Sequence, residues 1–331
     1  MTFTINPTMI MLCGLPGSGK STFADKLAEK TEITILSSDK IREELAGTST
    51  TEEVNTPAFN AIVFQELHKR IKNELRNGNN VIYDATNISS KRRIAFLKEL
   101  KNINCFKECI IVARQYENCL KANAEREHPI PDHVITHMYK NWNTPHWFEG
   151  WDSVQVYYPD HDKGALGMSI DIALQYKDFD QCNRHHTLTL GEHMYRTWEL
   201  AADEALDAEL FLTHSDMCSG WYNCVAEAAL LHDIGKPFTK TFTNMKNEVT
   251  EDAHYYNHQN VGAYDALFVD TGYRDGIITI STLINLHMYP YFWAKMEPEQ
   301  CAKAHEKYKK LWGNQLYDTV MLLYHADREG H

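Results

Sequence analysis

The 331-residue sequence has no apolar run approaching the ~18 residues that a membrane-spanning helix needs, so no membrane partner is expected. It lacks a basic amino-terminal region as well. MTFTINPTMIMLCGLPG passes from one short apolar run straight into a glycine-rich loop, which does not read as a signal peptide, and a cytoplasmic location is expected. The eight cysteines include no C-x-x-C pair, and their scatter fits reduced core thiols rather than disulfides or zinc knuckles. A broadly basic surface is missing too: 33 Lys+Arg face 45 Asp+Glu, for a net charge of -12. Residues 1–152 hold 19 of each sign, which leaves 14 basic and 26 acidic residues for 153–331. Any polyanion must therefore bind in a local basic groove rather than on a generally positive face. Internal repeats and low-complexity tracts are absent.

What is present suits two domains, since the chain is long for one core at ~100–200 residues per domain. The first part alternates β-like runs, MIMLC (9–13), TILSS (34–38), NVIYDAT (80–86) and CIIVAR (109–114), with amphipathic stretches such as Phe59–Leu75. Such alternation predicts an α/β domain, a parallel sheet with crossover helices. YYPDHDKGALG is rich in turn formers, and beyond Thr187 almost everything reads as helix. The expected organisation is an α/β domain over 1–152, a linker over 153–180 and an all-α domain over 181–331.

Gly14-Leu-Pro-Gly-Ser-Gly-Lys-Ser21 fits G-x-x-x-x-G-K-[ST] between an apolar strand and the helical run TFADKLAEK, the context the phosphate-binding motif requires. Gly14, Gly17 and Gly19 let the backbone turn its N–H groups, with those of Ser18 and Thr22 nearby, toward the phosphates of ATP or another nucleoside triphosphate. Lys20 supplies a point charge, Ser21 can ligate Mg²⁺, and the helix start adds partial positive charge. Beyond the second strand, Asp39 can take a proton from an attacking hydroxyl while Arg42 holds an anionic group of the acceptor; an N-cap aspartate with a solvated arginine is the alternative. Asp84 and Asn87 end the third strand, where Asp84 suits the Mg²⁺ or acceptor side, or a structural turn. Arg126 precedes the proline-interrupted EHPIPDHVI, which suits a lid whose arginine neutralises transferring phosphate, or a plain surface arginine.

GLPGSGKST, SSDKIR, DATN with Lys91-Arg92-Arg93, and NAERE before IPDHVI resemble the 5'-hydroxyl polynucleotide kinases of phage and bacterial nucleic-acid repair, over roughly residues 8–150. That resemblance implies Asp39 as general base, Arg42 on the acceptor phosphate and Arg126 as the lid arginine. One departure is Ala122, where the family often has a further arginine.

Seventeen histidines are many for this length, and most lie beyond residue 180. His193, His232-Asp233, His258, His287 and Asp327 each lie in or beside a predicted helix, and imidazole with carboxylate suits a first-row transition metal at the centre of a helical bundle. LTLGEH, LLHDIGK, NHQNVGA and HAD resemble the H…HD…H…H…D signature of HD-superfamily phosphohydrolases, over about 180–330. By that similarity His193, His232, Asp233 and Asp327 hold one divalent ion, His258 and His287 contribute to a second, and Lys236 contacts phosphate. His185, His186, His254 and His325 are lesser candidates for substrate contact.

Together the resemblances imply an enzyme that heals RNA or DNA ends: ATP-dependent phosphorylation of a 5'-hydroxyl, and metal-dependent removal of a 2',3'-cyclic, 2'- or 3'-phosphate, with a separate nucleic-acid ligase as possible partner. Two other readings stay open. One is a nucleoside or antibiotic kinase fused to an HD nucleotidase; the other is a nucleotide-binding regulatory module.

Overall fold

The computed structural model describes residues 6–47, 56–184, 187–207, 218–271 and 276–331, so His185 and His186 lie outside the described residues. The chain divides into two compact units, one made of Met1–Ile135 with Pro145–His161, the other of Thr136–Thr144 with Asp162–His331.

The first unit is built on a five-stranded parallel sheet: β1 (Thr8–Cys13), β2 (Thr34–Ser37), β3 (Val81–Asp84), β4 (Phe106–Val112) and β5 (Ser153–Tyr157), in the order β2-β3-β1-β4-β5. β1 and β3 are buried almost throughout, as central parallel strands covered on both faces must be. The crossover helices are α1 (Lys20–Ala28), α2 (Ser38–Ala46), α3 (Pro57–Arg76), α4 (Ser90–Glu99) and α5 (Tyr116–Ala124); α6 (Asp132–Lys140) follows. α3 shows why such segments are helical. Thr56 caps it by accepting from Phe59 N, Pro57 opens it, and Val63, Leu67, Ile71 and Leu75 recur every fourth residue as its buried stripe.

The boundaries differ from those read in the sequence. The first five residues of the expected linker form β5, a sheet edge strand hydrogen-bonded to β4, and the α/β unit runs to His161. Residues 162–180 belong to the second unit, where α7 (Ser169–Gln175) forms. Thr136–Thr144 belong there too, because Tyr139 donates to Asp265 at 2.5 Å, Trp142 meets the ring of Tyr264, and Asn285 holds the Thr144 backbone at 2.7 Å.

The second unit is helical: α8 (Leu190–Asp207), α9 (Cys218–Leu231), α10 (Lys236–Thr239), α11 (His258–Ala266), α12 (Ile277–Leu286), α13 (Tyr289–Trp293), α14 (Pro298–Trp312) and α15 (Asn314–Glu329). α8 packs on α9 and α15, and α12 packs on α9 and α11. Among the described residues, the strands of this unit form one antiparallel hairpin, β6 (Lys240–Thr243) with β7 (Val249–Tyr255). TFT and VTEDAHY alternate and carry β-branched residues, a period-2 signal inside a region otherwise periodic at 3.6.

Candidate functional site

In the first unit, the loop after β1 turns tightly enough that a Cβ at Gly17 would overlap the Cys119 carbonyl oxygen, and Gly17 has φ of 80° besides. Glycine is thus required on two grounds. The Lys20 ammonium sits among the loop's own carbonyls, donating to Leu15 O at 2.8 Å and Gly14 O at 3.1 Å. Burial lowers its pKa despite the opposing charge of Asp84. Ser21 Oγ donates to Asp84 Oδ2 at 2.9 Å, so the loop serine and the end of β3 put side by side two oxygens that could hold Mg²⁺. Burial raises the pKa of Asp84, offset by Lys20 and by that serine hydrogen bond.

Asp39, in the first turn of α2, has a side chain 70% exposed, and Arg126 NH2 lies 4.0 Å from its Oδ2. The general-base and lid candidates therefore meet in space, 87 positions apart in sequence. Arg42, one turn further along α2, is half-buried. Asn87 is turned inward: with φ of 49° its amide donates to Leu12 O at 2.8 Å, and its carbonyl accepts from Arg93 at 2.7 Å. Its side chain ties β3 to β1. Arg93 in turn makes a fully buried bidentate pair with Glu149, at 2.6 and 2.8 Å, and fixes the loop after β3.

Arg114 was not singled out from the sequence. Standing just past β4, it donates to Gly17 O at 2.7 Å and forks onto both carboxylate oxygens of Asp160 at 2.5 and 2.7 Å. Its position beyond the carboxyl end of a parallel strand is the signal that marks it.

In the second unit, all six residues of the expected ligand set converge and are buried. Each imidazole sets Nδ1 against a main-chain carbonyl: His193 to Gly330 at 3.2 Å, His232 to Ala229 at 2.7 Å, His258 to Tyr255 at 2.7 Å and His287 to Ile284 at 2.8 Å. A carbonyl only accepts, so Nδ1 carries the proton and Nε2 of the neutral ring is a lone pair. The Nε2 atoms of His193 and His232 are 3.1 Å apart, and those of His258 and His287 are 3.3 Å apart. Lone pairs so close repel unless a cation or proton lies between them, and this donor set fits divalent ions.

Asp233 faces both pairs. Its Oδ2 is 3.4 Å from His193 Nε2, 3.2 Å from His232 Nε2 and 2.6 Å from Lys236 Nζ, while Oδ1 is 3.2 Å from His258 Nε2. Two ligand groups follow, His193 with His232 and Asp233, and Asp233 with His258 and His287. Asp327 Oδ1 closes the first, 3.1 Å from His193 and 3.3 Å from His232. Burial opposes ionisation here, yet Asp233 and Asp327 raise His232 to about 10, so its Nε2 takes a proton or a cation rather than standing as a bare lone pair, while Lys236 and His232 hold Asp233 well below the carboxylate range. Burial, with the charges of His232 and His258, drops His287 to about 3.

Local backbone explains the convergence. A Cβ at Gly235 would overlap His258 O, so only glycine lets the turn after His232-Asp233 lie against the start of α11. Around the ligands, Gln181 Oε1 accepts from Lys236 Nζ at 2.7 Å and Tyr291 donates to Asp327 Oδ2 at 3.1 Å. Sequence reasoning missed both, and neither carries a local motif. His254 bonds within β7, to Thr250 Oγ1 at 3.0 Å. Among the described residues, no helix is long and apolar enough to cross a membrane.

The family model described as an AAA domain matches residues 9–145, and the one described as an HD domain matches residues 190–329. L-seryl-tRNA(Sec) kinase of Methanococcus maripaludis is 34% identical over 155 residues, 44% of this chain and 56% of that protein, so the chain spans little over half of that curated relative. Among solved structures, a chain of the Pnkp1/Rnl/Hen1 RNA repair complex is similar at 23% identity and a TM-score of 0.34, over 41% of this chain and 43% of that one. A putative kinase from Chloroflexus aurantiacus is similar at 15% identity and a TM-score of 0.42, over 47% of this chain and 87% of that one. Structural likeness this slight says nothing about function.

Proposed function

We propose that this chain, which joins a P-loop kinase-like domain to an HD phosphohydrolase domain, repairs broken nucleic-acid ends. The first unit phosphorylates a 5'-hydroxyl with ATP and Mg²⁺; the second removes a 2',3'-cyclic, 2'- or 3'-phosphate. The observation that carries this reading is the presence in one chain of a phosphate-adding loop around Lys20 and a buried histidine–carboxylate centre for phosphate removal. The two chemistries cancel on one position and cooperate only where two positions of one substrate need opposite corrections. RNA cut through its own 2'-hydroxyl is such a substrate, because it leaves a 5'-hydroxyl on one fragment and a 2',3'-cyclic phosphate on the other. The product is fit for a separate nucleic-acid ligase.

In this reading Asp39 accepts the 5'-hydroxyl proton, its exposure leaving room for a polymer end. Arg42 holds the acceptor's phosphate, Lys20 and Arg126 offset charge on the transferring group, and Ser21 with Asp84 serves Mg²⁺. Thr22, Ser18 and the loop glycines line the donor phosphates. Asn87 supports the acceptor side by fixing β3 to β1. In the second unit His193, His232, Asp233 and Asp327 hold one divalent ion and His258 with His287 a second, with Asp233 between them. Such ions supply an activated water and neutralise charge at phosphorus. Lys236, held by Gln181 and Asp233, contacts the substrate phosphate in this reading.

The 34% identity to a kinase named for seryl-tRNA(Sec) supports transfer to a hydroxyl carried by RNA. It favours a second reading as well, in which the acceptor is an aminoacyl group on tRNA. Full-length protein with labelled ATP separates them when offered 5'-hydroxyl RNA, 5'-hydroxyl DNA, seryl-tRNA and free nucleosides. Fastest labelling of 5'-hydroxyl polynucleotide is expected; labelling confined to seryl-tRNA or nucleosides refutes end repair.

A further inference from the structure

The end of α15 brings one more imidazole to the centre. A Cβ at Gly330 would lie 2.7 Å from Thr197 Oγ1 and 3.3 Å from Thr197 N, so glycine lets this end close on α8. Its carbonyl accepts from His193 Nδ1, which fixes that ring. The next residue, His331, lays its imidazole parallel to His193, with centroids 4.6 Å apart and planes 5° from each other. His331 Nε2 stands 3.8 Å from Asp327 Oδ1, and ligand atoms of His193, Asp327 and His331 all lie within 4.8 Å of one another.

Resting on the HD reading of this unit, we infer that His331 is a further ligand of the first divalent ion, facing its solvent side. Three observations converge. The spacing is that of atoms sharing one cation rather than hydrogen bonding to each other, since 3.8 Å is too long for a hydrogen bond. Stacking holds the ring beside a ligand, and a turn about its side-chain torsions brings its in-plane Nε2 lone pair onto the shared ion. Its side chain is 30% exposed, whereas those of His193, His232 and Asp327 are 1%, 0% and 6% exposed. The buried ligands hold the ion from within the bundle, and His331 covers its more exposed side. It lies outside the H…HD…H…H…D spacing, which is why no motif marks it.

The test uses the full chain without nucleotide, titrated with Co²⁺ against a competing chelator and followed by visible absorption. His331→Phe keeps an aromatic ring against His193 but offers no ligand atom; His331→Asp restores one. The expected result is a loss of about tenfold or more in affinity for the tighter Co²⁺ in the Phe variant, with an altered ligand-field band, and recovery of most of that affinity in the Asp variant. Wild-type affinity and spectrum in the Phe variant overturn the inference and leave the hydrolase reading standing. A wild-type chain that takes up no Co²⁺, Mn²⁺ or Ni²⁺ overturns both.

Discussion

At the residue scale, position decides whether a polar group is free to react or committed to the framework. Asp84 ends β3 and Asp39 follows β2 in the first turn of α2, but Asp39 is open to solvent while Asp84 is buried against Ser21 and Lys20. An exposed carboxylate facing an arginine suits proton transfer in the proposed kinase. Asp39→Asn should lower 5' phosphorylation by about 10²–10⁴-fold with ATP binding unchanged; near-normal turnover in a folded variant excludes it as general base. His146 shows the opposite commitment. Its Nε2 is buried without a hydrogen-bond partner, and burial lowers its pKa from 6.5 to about 3. A folded-state pKa below the unfolded one means stability is present above about pH 6.5 and lost as pH falls toward 3. His146→Asn, which cannot titrate, should lose less stability than wild type between pH 7 and pH 5 in parallel urea titrations. Equal losses would assign the acid sensitivity elsewhere.

At the element scale, both centres depend on a glycine that lets two segments touch. Gly17 brings the P-loop against the turn of α5 that carries Cys119, and Gly235 brings α10 against α11. Because Gly235 has an ordinary helical φ of -79°, its requirement is one of space rather than of conformation. Gly235→Ala should therefore push His258 away from Asp233 and weaken divalent-metal uptake by at least about tenfold, while 5' phosphorylation stays near wild type. Metal uptake equal to wild type in a chelator competition would mean that the turn relaxes without moving His258.

At the scale of the whole molecule, the chain divides into two compact units, and a divalent ion that binds only the folded second unit should stabilise that unit alone. Saturation at about 100 times the dissociation constant is worth about 2.7 kcal/mol. Dialysis against a chelator should thus lower one calorimetric transition and leave a second in place, and ATP with Mg²⁺ should raise the second. Equal movement of both transitions with either ligand would show that the units unfold together.

How much was legible follows the range of the interactions. The P-loop, four of the five strands and the helical second half were readable because glycine spacing, strand runs and the 3.6-residue period are local. β5 escaped because an edge strand of five residues, four half-buried and one exposed, beside a turn-rich tract has no strong pattern. The assignment of Thr136–Thr144 to the second unit also escaped, since Tyr139 and Thr144 find their partners more than 120 residues away. Likewise Arg114 with Asp160, Gln181 with Lys236 and His331 with His193 are pairs that only packing creates. The sequence by itself determined the two kinds of domain and the residue types able to handle phosphate and metal. Tertiary structure alone decided which of those residues meet, because a motif encodes backbone within a few residues whereas a site is closed by helices and strands packing from distant parts of the chain.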